Sequence, residues 1–262
     1  MKRWIDAKLL ERKFMLQQTA AKENLPEYAV EKDWWVTMTL KALFNTRCGK
    51  YLEFKGGTSL SKGWRLIERM SEDIDMALNY RFSDFASPYV PSRVKVELSC
   101  LSMDEPFEMK SITSLISASF PDEDEDTESV IPVVLPSRTF LEKAFLLNEE
   151  FQKEEPRSLR MTRHLYDLEH LMDTEFGITA LSDLELYSKI VEHRRKFYHV
   201  GYADYDKDYP DKIDFFPPER CLSAWKADYS EMLEHFVYGE KIPFERLLER
   251  ISALQSRFRN VK

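Results

Sequence analysis

Residues 54–76 read FKGGTSLSKGWRLIERMSEDIDM, and their order decides the fold. A Gly-Gly turn with two hydroxyl residues, Gly56-Gly57-Thr58-Ser59, leads into a basic segment in which Leu60, Trp64 and Ile67 recur at helical steps. Asp73 and Asp75 follow, one residue apart, in a short run that closes on Met76. Strand side chains alternate with period two, so a D-x-D turns both carboxylates to one face. Two close carboxylates repel, a divalent cation relieves the repulsion, and hard oxygen ligands favour magnesium or manganese. A glycine turn at a helix start offers backbone N–H groups to phosphate. A phosphate cradle beside metal carboxylates is the equipment of nucleotidyl transfer, with an NTP as substrate.

Reading outward, residues 51–54 form a short strand into the turn, behind helices at 5–22 and 28–44. The helix after the turn runs over 59–70, and a strand follows at 73–78. Residues 94–99 alternate, with Val94, Val96 and Leu98 on one face and Glu97 on the polar one. Three carboxylates from adjacent strands, Asp73, Asp75 and Glu97, can hold two divalent ions. A D-x-D alone is commonly a surface turn; the upstream cradle and Glu97 raise this one above that. Residues 112–120 fit strand or helix equally. The acidic run 122–128 reads as a solvated loop, and 130–135 as a strand whose Pro132 suits an edge. Helices are expected at 139–150, 159–174 and 181–193, a long loop at 201–218 and helix again over 219–259. This order predicts an α+β fold: a small mixed β-sheet core with flanking helices over 1–135, and a mainly helical part over 136–262 that completes the site.

The 262 residues are 43% hydrophobic and 13% aromatic, enough for a sizeable core, and 7 Gly with 12 Pro exclude a fibrous or disordered chain. The net charge of −8 does not advertise a nucleic-acid binder, so any such partner must use a local basic patch. Cys48, Cys100 and Cys221 are dispersed and show no metal spacing, which points to a reducing, cytoplasmic compartment. The histidines show no zinc spacing. No apolar stretch is long enough for a membrane span.

Several further segments, in order along the chain, resemble the AbiEii/AbiGii-type nucleotidyltransferase toxins of the DNA polymerase β-like superfamily. They are EKDWW (31–35), FKGGTSLSK (54–62), RMSEDID (69–75), VKVELS (94–99), LPSRTFLEKAFLLNEE (135–150), RHLYDLEHL (163–171), IVEHRRKFY (190–198) and AWKADYSEM (224–232). The resemblance implies that Gly56, Gly57, Thr58 and Ser59 cradle a triphosphate, with Lys62 and Arg69 in support. It implies that Asp73, Asp75 and Glu97 bind the metal, and that Lys143 and Asp167 complete the catalytic set. Whether Asp167 orients Lys143, contacts the nucleotide or pairs with Arg160 or Arg163 stays open. Glu31, Lys32 and Asp33 either anchor the N-terminal helix or touch the nucleotide, while Trp34, Trp35 and Trp64 read as core. The resemblance further implies an RNA acceptor, with tRNA foremost, and a cognate antitoxin. The chain departs from many relatives in having only residues 76–93 where they carry a long insertion.

The densest basic stretch, 193–199, interleaves aromatics with Arg194, Arg195 and Lys196, a pattern suited to RNA. The same cations also suit a helix C-terminus. Two other functions fit the core: a nucleotide-binding regulatory protein without transfer activity, and a nucleotidyltransferase acting on a small molecule.

Overall fold

A buried indole needs an acceptor for its N–H, and that need organises the start of the chain. The computed structural model describes residues 2–69, 74–76, 94–96, 106–198 and 200–261, with 74–76 and 94–96 described by backbone alone. It divides into two compact units, Met1–Leu98 with Phe107–Val133, and Ser99–Pro106 with Val134–Lys262.

In the first unit a 3-10 turn, Trp4–Asp6, precedes α1 (Leu9–Glu23) and α2 (Glu27–Phe44). Asn24, left-handed at φ 52°, closes α1, and Pro26 stands just before α2. The Trp4 and Trp34 rings meet at 5.3 Å. Asp124, fully buried, accepts from the Trp4 backbone N–H at 2.9 Å, Trp34 Nε1 at 2.9 Å and Ser114 Oγ at 3.0 Å. This corrects the reading of 122–128 as a solvated loop. Asp122, Glu123, Glu125 and Glu128 are exposed, but Asp124 and Thr127 are buried, and Lys41 donates to the Asp126 carboxylate at 2.8 Å. Charge density could not show that one carboxylate of the run faces inward, because its partners are far away in sequence.

Next come a 3-10 turn at Gly49–Tyr51, α3 (Gly57–Lys62), β1 (Ile74–Met76), β2 (Val94–Val96), β3 (Phe107–Ile112), α4 (Leu115–Ser119) and β4 (Ser129–Val134). The ambiguous stretch 112–120 is thus the end of a strand followed by a short helix. β1 and β2 pair antiparallel, with Asp75 opposite Lys95, and β3 pairs with β4. The strand expected at 51–54 contracts to Phe54, which bridges Val133 in parallel and donates its N–H to the Pro132 carbonyl at 2.9 Å. The helix expected over 59–70 stops after one and a half turns. Gly63 closes it, and Arg65 adopts φ +55°. A Cβ at Gly63 would sit 2.9 Å from Val133 Cγ1 and 3.0 Å from the Ser59 carbonyl, so glycine lets α3 end against β4. Val36, Leu40, Phe54, Ile112, Ile131 and Val133 form the core here, with Trp35 and Trp64 packed on its margin.

The second unit is built on α5 (Pro136–Phe151), whose Phe140, Leu141, Ala144, Phe145 and Leu147 are wholly buried. Pro136 occupies its first turn, where a missing N–H costs nothing. Then follow α6 (Thr162–Leu171), α7 (Glu175–Ser182), α8 (Leu184–Phe197), a 3-10 turn at Tyr205–Asp208, α9 (Leu222–His235) and α10 (Phe244–Arg259). The single helix expected at 181–193 is two, divided at Asp183, whose carboxylate caps α8 by accepting from Leu186 N–H at 2.9 Å. From α10, Phe258 stacks on Phe140 at 5.7 Å and meets Phe215 at 5.0 Å. Arg250 of α10 reaches Glu169 at 2.5 Å and Asp173 at 2.6 Å. The fold is α+β, and no helix among the described residues is long and apolar enough to cross a membrane.

Asp124→Ala should lower stability by about 2–4 kcal/mol, since it strands buried donors on three segments. Urea unfolding checks this, and an unchanged midpoint would remove Asp124 from its organising role.

Candidate functional site

The candidate residues fall in both units. In the first, Gly56 stands before α3 at φ +92°, a conformation that side chains other than glycine rarely adopt. The first amides of a helix have no acceptor within it. Gly57, Thr58 and Ser59 are buried. Ser59 Oγ donates back to the Gly56 carbonyl at 2.8 Å, whereas Thr58 Oγ1 is buried without a hydrogen-bond partner among the described residues. An orphaned hydroxyl beside free amides fits a phosphate oxygen. Arg69 is buried.

Lys62 has another engagement. Its ammonium pairs with Asp33 of α2 and donates to the Thr113 carbonyl at 3.3 Å. Asp33 also accepts the Leu115 N–H at 2.8 Å. Lys62 and Asp33 therefore tie α2, α3 and the start of α4 together, and for Asp33 the anchoring reading is the one the geometry favours.

Asp73 and Glu97 lie outside the described residues, and Asp75 is described by its backbone only. Among the described residues no group of three or more His, Cys, Asp or Glu is arranged to hold a metal ion.

In the second unit, packing of α5 on α6 brings Lys143 Nζ to 2.7 Å from Asp167 Oδ2, with side chains 8% and 0% exposed. Of the roles left open for Asp167, holding Lys143 is directly visible. The start of α6 is fixed in turn by Asp228 of α9, which accepts the Arg160 N–H at 2.5 Å, the Thr162 N–H at 3.1 Å and the Thr162 hydroxyl at 2.6 Å. That contact accounts for AWKADYSEM among the resembling segments. One turn before Lys143, Arg138 meets Glu142 at 3.0 Å.

The basic segment ends α8, and its cations do different things. Arg194 is buried and bidentate on Glu149, with both bonds at 2.7 Å. Burial alone would lower its pKa, but the hydrogen bonds and charge of Glu149 leave it raised. Assigning Arg194 to an RNA surface is corrected accordingly, because its guanidinium is already committed within the fold. Arg195 and Lys196 line a shallow surface cavity of about 680 Å³ with His193 and Phe197. Arg195, 42% exposed, pairs with Asp206 and with Glu192, and Lys189 pairs with Glu185 across the same surface.

Asp208 was missed by sequence reasoning. Wholly buried, it accepts from Asn148 Nδ2 at 2.8 Å, while its Oδ2 has no hydrogen-bond partner among the described residues. Burial and then the Glu149 charge push its pKa up to about 7, against the opposing pull of Asn148 and Arg194. A signal did exist in Asn148-Glu149-Glu150 at the end of α5. Carboxylates are unfavourable at a helix C-terminus, so each needs a cation. Glu149 takes Arg194, and Glu150 takes Arg157 at 2.7 Å and Lys153 at 2.8 Å.

A family model described as nucleotidyl transferase AbiEii toxin, type IV TA system, matches residues 39–87 and 77–250. The match covers most of the sequence, and the chain belongs to this family of nucleotidyltransferase toxins. No curated protein and no solved structure is matched. Family membership implies a nucleotide substrate and a cognate antitoxin.

Two outcomes follow from the buried charges. Arg194→Ala should cost about 3–5 kcal/mol in urea unfolding because Glu149 is left buried and unpaired, while Arg195→Ala should change stability by roughly 1 kcal/mol or less. The folded state raises the Asp208 pKa, so its contribution is fully present below the unfolded-state value and is lost as pH rises through about 7. The urea midpoint should therefore fall between about pH 4 and pH 7, and Asp208→Asn should flatten that fall. An equal pH slope in both proteins would show that Asp208 titrates normally.

Proposed function

We propose that this chain transfers a nucleotidyl group from an NTP to an RNA, with tRNA as the acceptor class, by a divalent-metal mechanism in the cytoplasm. The observation that carries the reading is the Lys143–Asp167 pair. A lysine taken almost wholly out of water keeps its charge only with a carboxylate beside it. So held, it is a fixed positive charge of the kind that stabilises phosphoryl transfer.

Two other features support the reading. The Gly56–Ser59 turn opens a helix, and its Thr58 hydroxyl is buried without a hydrogen-bond partner among the described residues, a donor that a phosphate oxygen could use. Asp73 and Asp75 form the D-x-D of the sequence, and Glu97 is the further carboxylate of the 94–99 run. Asp73, Asp75 and Glu97 are the residues assigned to magnesium or manganese. When bound, such an ion neutralises phosphate charge and activates the attacking hydroxyl. In the proposed reaction an RNA hydroxyl oxygen bonds to the α-phosphorus, the bond to the bridging oxygen breaks, pyrophosphate leaves and the hydroxyl proton passes to solvent or a nearby carboxylate. In this reading Gly56, Gly57, Thr58 and Ser59 are assigned to the triphosphate with Lys62 and Arg69 in support, and Lys143, kept in position by Asp167, is assigned to phosphate charge.

The test incubates the protein with each α-labelled NTP, magnesium and total RNA, followed by separation of the RNAs. Label should enter RNA only with a divalent ion. Asp75→Ala should abolish transfer without lowering the melting temperature, and Lys143→Ala should slow it by about 10²–10³-fold. No transfer from any NTP with magnesium or manganese would favour a nucleotide-binding protein without transfer activity. Label on small hydroxyl compounds in preference to RNA would favour the small-molecule reading. Transfer at the normal rate by Asp75→Ala would defeat the mechanism.

A further inference from the structure

The second unit contains a cleft of about 1060 Å³ that none of the assigned site residues lines. Its walls come from the end of α5 (Asn148, Gln152), the segment 212–220, the start of α9 and the last turns of α10 (Gln255, Arg259). Lys207, Lys212, Arg220 and Arg259 line it against only two carboxylates, Asp214 and Glu219. On a chain of net charge −8 this is a local reversal of sign. Two of the cations are structural. Arg220 donates to the backbone carbonyls of Phe151 at 3.4 Å and Lys153 at 2.9 Å, closing the end of α5. Arg259 reaches the Ile213 carbonyl at 3.3 Å. The ammonium groups of Lys207 and Lys212 are exposed and have no hydrogen-bond or ion-pair partner among the described residues. Phe216, Ser252 and Gln255 share the lining with them, and Pro217 and Pro218 stiffen the wall.

We propose that this cleft holds a single-stranded segment of the acceptor RNA, with Lys207 and Lys212 on successive phosphates and Phe216 offering a face to a base. The inference rests on the RNA-transfer reading above and names where that acceptor is gripped. Unpaired cations beside an aromatic are the elements of single-strand binding, and an acidic protein segment would leave the aromatic without a role. Arg195 is not part of this lining and pairs with Asp206 and Glu192. Charge at Arg195 is thus largely compensated, and in the cleft Arg259 pairs with Asp214 at 3.8 Å, whereas Lys207 and Lys212 have no partner among the described residues, so these two lysines are the stronger determinant.

The experiment measures binding of a fluorescein-labelled single-stranded RNA 12-mer to the full chain between 50 and 200 mM salt. K207Q/K212Q should weaken binding by about tenfold at low salt and make the salt dependence shallower by roughly 1.4, two phosphates at about 0.7 each. Phe216→Ala should weaken binding without changing that slope. R195Q/K196Q should have the smaller effect, and NTP affinity should be unchanged in K207Q/K212Q. Unaltered RNA affinity in K207Q/K212Q, or a larger loss in R195Q/K196Q, overturns the proposal. A fall in NTP affinity assigns the cleft to the nucleotide instead, and equal displacement of RNA by polyglutamate assigns it to an acidic protein segment. Either outcome also overturns it. The transfer reading is scored separately: labelled transfer that persists at full rate in K207Q/K212Q removes the cleft and keeps the reaction, while RNA binding lost in that variant with no transfer by wild type keeps the cleft and removes the reaction.

Discussion

A charge almost out of water survives only beside its opposite, and the second unit is arranged around that constraint. Lys143 and Asp167 belong to different helices, so keeping both ionised fixes how α5 and α6 meet. Arg194 and Glu149 apply the same condition between α8 and the end of α5. Such pairs add little net stability compared with apolar residues of the same shape, but they admit few alternative packings. Asp228 supports one pair from behind by fixing where α6 begins. Lys143 is therefore placed by tertiary structure as a whole, and not by its own helix alone.

The first unit solves a related problem with neutral donors. Asp124 collects a backbone N–H, an indole N–H and a hydroxyl from three separate segments. Lys62 and Asp33 repeat the device beside the glycine turn. In both places a carboxylate that charge counting assigns to solvent is an internal fastener. At the turn itself the buried Thr58 hydroxyl has no hydrogen-bond partner among the described residues.

Local patterns in the sequence were enough for α2, α5, the breaks at Pro26 and Pro136, and the strand at 129–134, because helical spacing and proline act over a few residues. Lys143 and Asp167 come from the family resemblance, since no local pattern marks them out, and their contact at 2.7 Å is a matter of helix packing. What stayed hidden depends on distant partners. The end of α3 at Gly63 is set by Val133, seventy residues away. Arg194 looked like a surface cation because its partner, Glu149, lies on another helix. Asp208 sits in a stretch that reads as loop, and only the buried cluster around Asn148 and Glu149 explains its unusual proton affinity. The expectation that Asp73 and Glu97 bind metal rests on sequence alone, both being outside the described residues.

Phe258 occupies the middle of the second unit, against Phe140 and Phe215, yet it is synthesised long after α5. At about 5–20 residues per second on the ribosome, roughly 6–24 s separate Phe140 from Phe258. During that interval Phe140 lacks its stacking partner, and α6 lacks the Arg250 clasp to Glu169 and Asp173. The aromatic centre of the second unit is therefore completed only once α10 has been made, well after the helices that hold Lys143 and Asp167.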